Sequence, residues 1–182
     1  MSVAVHADPD LAQLVALFHT RFEDLGAFSP VLAEAMPQPY RDLLAHEHHM
    51  TVTVENHHRT SVDVEVLDAR VQGEHYLRSI VLRRKTDHAV VQYGIVRLDL
   101  TRLDETPRRE ILSQKIPLGR VLIQHGVLRT IHLSRLWRVA CGPTAAKLFS
   151  CQEGTITYGR TAAILTSGTP AIELLEVVSP AE

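Results

Sequence analysis

The sequence predicts an α+β domain organised around an antiparallel sheet. Three observations lead there. Residues 9–46 place apolar side chains at helical spacing, the spacing from Met50 onward changes largely to two, and the strands so marked do not alternate with helices as a parallel sheet requires. The length, 182 residues, suits one domain spanning 1–182, with N-terminal helices over about 9–46 and the sheet with its helical excursions over about 50–180. A hydrophobic fraction of 45% with 22% charged residues describes an ordinary globular chain, neither disordered nor fibrous.

Asp8-Pro9 reads as a helix start, and Leu11, Leu14, Val15, Phe18, Phe22 and Leu25 then recur on one helical face until Gly26. Ser29-Pro30 caps a short segment, Val31 to Met36, that Pro37 and Pro39 close; Tyr40 to about His46 adds one or two turns. Val52 and Val54, followed by Val62, Val64 and Val66, alternate as a hairpin turning through Asn56 to Arg59. Tyr76 to Leu82 and Ala89 to Leu100 form a second strand pair. Thr106-Pro107 caps a helix from Arg108 to about Gln114, and Pro117 and Gly119 break the chain before Val121 to Gln124. Residues 127–139 fit strand or helix equally, and Thr144 to Phe149 reads as a turn or two of helix. Tyr158 to Leu165, the turn Ser167-Gly168-Thr169-Pro170 and Ile172 to Val178 close the chain as a hairpin. Both sheet faces are apolar, so both need helical cover.

Charge and hydropathy narrow the function. A net charge of -2 gives no field to gather a polyanion, so nucleic acid is not an expected partner. No apolar stretch approaches the roughly 18 residues of a membrane span, and MSVAVHADPDLAQ lacks the basic and apolar regions of a signal peptide, which points to the cytoplasm. Cys141 and Cys151 are too few for a disulfide framework and read as small hydrophobes.

Four groups of residues could carry chemistry. His46, His48, His49, His57 and His58 cluster, but not at the spacing of a zinc helix motif and without an acidic residue in register, so no metal is expected. Arg78 stands among Tyr76, Ile80 and Leu82 in a strand with two apolar faces; a buried guanidinium must be paired, either with a protein carboxylate or with that of a ligand. Glu173 and Glu176 interrupt the last strand, three residues apart and so on opposite faces. The inward one is suited to proton transfer or to holding a hydroxyl, unless it simply pairs with a buried arginine. Pro117-Leu118-Gly119-Arg120 offers backbone amides to an anion. Phosphate-loop, dinucleotide and nucleophile-elbow motifs do not occur.

HEHHMTVTVE, HYLRSIVL, IPLGRVLI and TYGRTAAILTSGTPAIELLEVVSP, in this order, resemble the chorismate lyase family over about residues 38–180, and in particular its divergent branch. The resemblance implies an antiparallel sheet of about six strands with helical flaps over an internal ligand cavity. It implies that Arg78 holds a substrate carboxylate with help from the backbone amides of Met50 and Leu118, beside Gly119. Glu176, with Glu173 as the alternative, would contact the ring hydroxyl, and Gly94 would line the cavity. Where the family often has an arginine after that glycine, this chain has Ile95, with Arg97 two residues on.

The reaction so implied is a cofactor-free elimination: chorismate loses its C4 hydrogen and its C3 ether bond, giving pyruvate and 4-hydroxybenzoate. Arg78 would clamp the acid while Glu176 orients or deprotonates near C4. Two other readings compete. The effector domains of one family of transcriptional regulators resemble the same fold, so the chain could be a non-catalytic aromatic-acid sensor; it shows no helix-turn-helix unit, which leaves a stand-alone sensor. A lyase or isomerase acting on a related enolpyruvyl or cyclohexadiene acid is the third.

Overall fold

A computed structural model describes residues 8–127, 130–166 and 168–181. Seven strands form one antiparallel sheet: β1 (Gly26–Val31), β2 (Val62–Gln72), β3 (His75–Arg84), β4 (Val90–Asp99), β5 (Thr130–Cys141), β6 (Ile156–Thr166) and β7 (Thr169–Val178). Their spatial order is β1-β5-β6-β7-β4-β3-β2, so the last strand of the chain lies at the centre, between β6 and β4. The helices are α1 (Leu11–Ala16), α2 (Phe22–Leu25), α3 (Tyr40–Leu44), α4 (Met50–His58), α5 (Glu105–Leu112), α6 (Leu118–Gln124) and α7 (Pro143–Phe149).

Register partners share a face, and this sorts the central strands cleanly. Arg78, Val96 and Leu174 lie in one row; Ile80, Gly94, Glu176 and Arg160 form the next, and Leu82, Gln92 and Val178 the one after. On this face two apolar clusters stand side by side. One packs Leu118, Val121 and Leu122 of α6 and Ile111 of α5 on Val96, Leu98, Ile164 and Leu174. The other packs α3 and α4, through Leu43, Leu44, Met50 and Val54, on Ile80, Leu82, Tyr158 and Val178. The opposite face, with Val81, Tyr93, Ile95, Leu175 and Val177, packs on α1, α2 and α7. Each fully buried aliphatic side chain contributes roughly 1.5–3 kcal/mol, so both faces of the sheet are closed by burial.

The α+β antiparallel class predicted from the sequence is the class found, with seven strands in place of about six. The larger differences lie in the first 66 residues; beyond them Thr106 and Pro107 fall inside α5, whose N-cap is Asp104, and Gly119 falls inside α6 instead of breaking the chain before it. Asp10, not Asp8, caps α1, accepting from Ala12 and Gln13 N–H at 2.9 and 3.2 Å. The long N-terminal helix is two short ones; Leu11, Leu14, Val15 and Leu25 pack into the same cluster, so the apolar period runs on through the break. Gly26–Val31 is the edge strand paired with β5, where Pro30 costs no ladder bond that an interior strand would need, and only Ala33–Ala35 of the following segment is helical, as a single 3-10 turn. Val52 and Val54 do not belong to a hairpin: Met50–His58 is α4, whose buried residues Met50, Thr51 and Val54 follow helical spacing, while the alternating pattern is only the order of Thr and Val. The ambiguous stretch is strand β5 from Thr130 onward; Leu128, Arg129 and Ser167 of the predicted closing turn lie outside the described residues. Among the described residues no helix is long and apolar enough to cross a membrane.

Candidate functional site

Between the two clusters on the α4/α6 face the side chains leave a cavity of about 50 Å³. Its floor is the row structure of β3, β4, β7 and β6, and its roof is formed by the first turns of α4 and α6, with Met50, Thr51, Leu118 and Gly119 among the lining residues. The sheet contributes mainly apolar surface, from Ile80, Leu82, Val96, Ile164 and Leu174, together with Arg78, Gln92, Gly94, Arg160 and Glu176. Gly119 lets the roof close: a Cβ there would lie 3.2 Å from Thr51 Oγ1 and 3.3 Å from His49 Cβ. The two roof helices are tied further along by Arg120, whose Nη2 donates to Glu55 Oε1 at 2.5 Å.

Arg78 is 1% exposed, and neither its Nε nor its Nη1 has a hydrogen-bond partner among the described residues. Among the described residues no carboxylate ion-pairs with it. Burial holds its pKa below the ordinary guanidinium value, with the neighbouring Tyr76 side chain opposing that shift. An arginine remains protonated all the same, so a positive charge faces the cavity without a counter-charge. Such a group is costly to bury, and an anionic guest is what would compensate it.

Glu176 lies on the same face, two strands away across β4. Its carboxylate is half of an ion pair: Arg160 Nε donates to Oε2 at 2.7 Å, and both residues are buried. Arg160 also donates from Nη1 to the His46 carbonyl at 2.8 Å and from Nη2 to the His48 carbonyl at 3.1 Å, so it fixes the segment between α3 and α4 from beneath. The other carboxylate oxygen, Oε1, has only a long 3.5 Å contact from Gln92 Nε2 among the described residues. Strand spacing and rise put the Arg78 and Glu176 Cα atoms about 12 Å apart, so a small ring acid could face both.

Of the residues singled out from the sequence, Met50, Arg78, Gly94, Leu118, Gly119 and Glu176 all line this cavity. Glu173 does not: it pairs with Arg97 on the other face of the sheet, with Arg97 Nε donating to its Oε2 at 2.5 Å. Ile95 is fully buried, and Arg97, engaged by Glu173, does not substitute for an arginine in the cavity. The histidines divide between the α3–α4 connection, where His46 and His48 stack, and the end of α4; among the described residues no metal-binding group of three donors forms. His46 is held down to about 4 by burial and by Arg160, and His49 is lowered for the same reasons. Arg160 and Gln92 were not singled out from the sequence. Arg160 carried the same signal as Arg78, a cation inside an apolar strand, whereas nothing local distinguishes Gln92.

No family model and no curated relative matches the chain. Solved structures do. The effector domain of PhnF from Mycobacterium smegmatis superposes with a TM-score of 0.54 at 12% identity, covering 72% of this chain and 88% of that one. The match covers 63% of the longer PhnF chain. The ligand-binding domain assigned to a GntR-family transcriptional regulator from Bordetella bronchiseptica gives 0.51 at 14% identity, covering 64% and 84%. The SA0254 gene product from Staphylococcus aureus gives 0.52 at 14% identity, covering 74% and 92%. The fold is therefore that of GntR-family ligand-binding domains, an architecture of the chorismate lyase-like type.

Proposed function

We propose that this chain is a small-molecule-binding module that takes a compact organic acid, of the aromatic carboxylate kind, into the cavity beneath α4 and α6. The observation that carries this reading is the buried, uncompensated guanidinium of Arg78. The resemblance in fold to ligand-binding and effector domains supports binding without turnover. A benzene-sized guest needs on the order of 150 Å³. The cavity as it stands offers about 50 Å³, so binding requires the roof helices to part.

A second reading is the cofactor-free elimination of pyruvate from chorismate, favoured by a carboxylate, Glu176, on the same cavity wall as Arg78. Two facts rank it second. Chorismate brings two carboxylates to a cavity with one uncompensated cation, and Glu176 is already engaged by Arg160. Calorimetric titration with 4-hydroxybenzoate, beside an assay of pyruvate released from chorismate, separates the two. Binding that disappears in Arg78→Ala, with no pyruvate formed, is the expected result, since an unpaired buried charge partner costs roughly 2–5 kcal/mol. Steady pyruvate release would replace the binding reading by the lyase; no binding and no release would remove both.

A further inference from the structure

We infer that Gln92 is the specificity-determining residue of this cavity, reading a hydrogen-bond donor at the end of the ligand opposite its carboxylate. The inference rests on the acid-binding reading above and deepens it. Gln92 is 3% exposed and lines the cavity, and its Oε1 is buried without any partner among the described residues. The orientation of the amide follows from its neighbour. Glu176 Oε1, 3.5 Å away, accepts and does not donate as a carboxylate, so the NH₂ group turns toward it and the amide oxygen is the atom left without a partner.

The polar inventory is then unevenly spent. Arg160 is consumed by Glu176 and by the His46 and His48 carbonyls. What remains for a guest is a pair of N–H donors on Arg78 and two acceptors: Glu176 Oε1 in the Gly94 row and Gln92 Oε1 in the row beyond it. Between them lies apolar wall. A guest complementary to this arrangement has one carboxylate, a flat apolar body and a terminal hydroxyl or amino group. A second anionic group at the far end would meet two acceptors, and an apolar end would leave the Gln92 oxygen unsatisfied.

The test compares 4-hydroxybenzoate with its near-isostere 4-methylbenzoate, by calorimetry on the full chain and on Gln92→Leu. The wild-type chain should prefer the hydroxyl compound by about tenfold or more, the range of an unsatisfied buried acceptor. In Gln92→Leu the ratio of the two constants should fall toward one. The ligand pair alone tests the idea on the wild-type chain should the variant not fold. Equal wild-type affinities, or a preference that survives in Gln92→Leu, would overturn the role of Gln92 while leaving acid binding intact. Absence of binding by either acid would overturn both.

Discussion

Arg160 and Glu176 are register partners on β6 and β7, and the guanidinium of one donates to the carboxylate of the other at 2.7 Å with both side chains out of solvent. This pair decides what the cavity can do. It neutralises the carboxylate that lines the cavity together with Arg78, and it uses the remaining guanidinium N–H groups to hold the α3–α4 connection. Arg78 is thus left without a counter-charge among the described residues, while the second cavity-lining cation, Arg160, takes the carboxylate.

Breaking that pair should be expensive. Arg160→Met strands a buried carboxylate and releases two carbonyls, and we expect a loss of about 3–5 kcal/mol of unfolding free energy. Adding Glu176→Leu should restore part of it, because an apolar pair tolerates the site better than a lone charge. The unrecovered remainder reports the tether to His46 and His48. Urea denaturation of the three chains at one pH measures it; a single mutant as stable as wild type would contradict the burial argument.

Arg78 should behave in the opposite way. Its charge lacks a protein counter-charge among the described residues, so Arg78→Met removes a penalty in the ligand-free chain. We expect a gain of about 1 kcal/mol or more with unchanged denaturant slope, together with loss of acid binding. A residue kept for structure would give the reverse, destabilisation with binding retained.

The contrast between these two arginines also marks what the sequence could convey. A cation in an apolar strand is visible in HYLRSIVL and equally in TYGRTAAIL. Which of them meets Glu176 depends on β6 and β7 being neighbours in register, a long-range fact that local pattern does not contain. The central strands were legible because burial on both faces leaves apolar runs. The segment from Met50 was not, since MTVTVENHH satisfies period two by composition while Met50, Thr51 and Val54 bury at helical spacing. The α4 part of the roof was thus read as strand, although Met50, Leu118 and Gly119 of the roof lining were named.

Acid should weaken the fold through His46. Its folded pKa is about 4 against an ordinary 6.5, because burial and then the Arg160 guanidinium oppose its charge; His48 adds to this, and the Leu43 carbonyl works against it. The unfolded chain therefore takes up the proton first as pH falls. The stability contributed by neutral His46 is complete above about 6.5 and is lost progressively from there toward 4. His49 is lowered too and acts with the same sign. Urea midpoints at pH 7.5 and pH 5 should fall with acid, and His46→Gln should show a shallower fall. A wild-type midpoint that does not move across this window would refute the assignment.

Two glycines beside Glu176 should respond oppositely to the same change. At Gly94 a Cβ would sit 3.4 Å from the Ile80 side chain and 3.6 Å from the Leu175 carbonyl, ordinary contacts, while its methyl group fills the cavity floor. Gly94→Ala should then keep or raise stability, by up to about 1 kcal/mol from reduced chain entropy, and weaken 4-hydroxybenzoate several-fold. At Gly159 a Cβ would lie 2.7 Å from the Glu176 carbonyl oxygen, a backbone atom that cannot yield without shifting the β6–β7 ladder. Gly159→Ala should therefore destabilise the whole sheet. Thermal melts and titrations of the two variants check both halves; if Gly94→Ala bound the acid as well as wild type, the ligand would not lie over the Gly94 row.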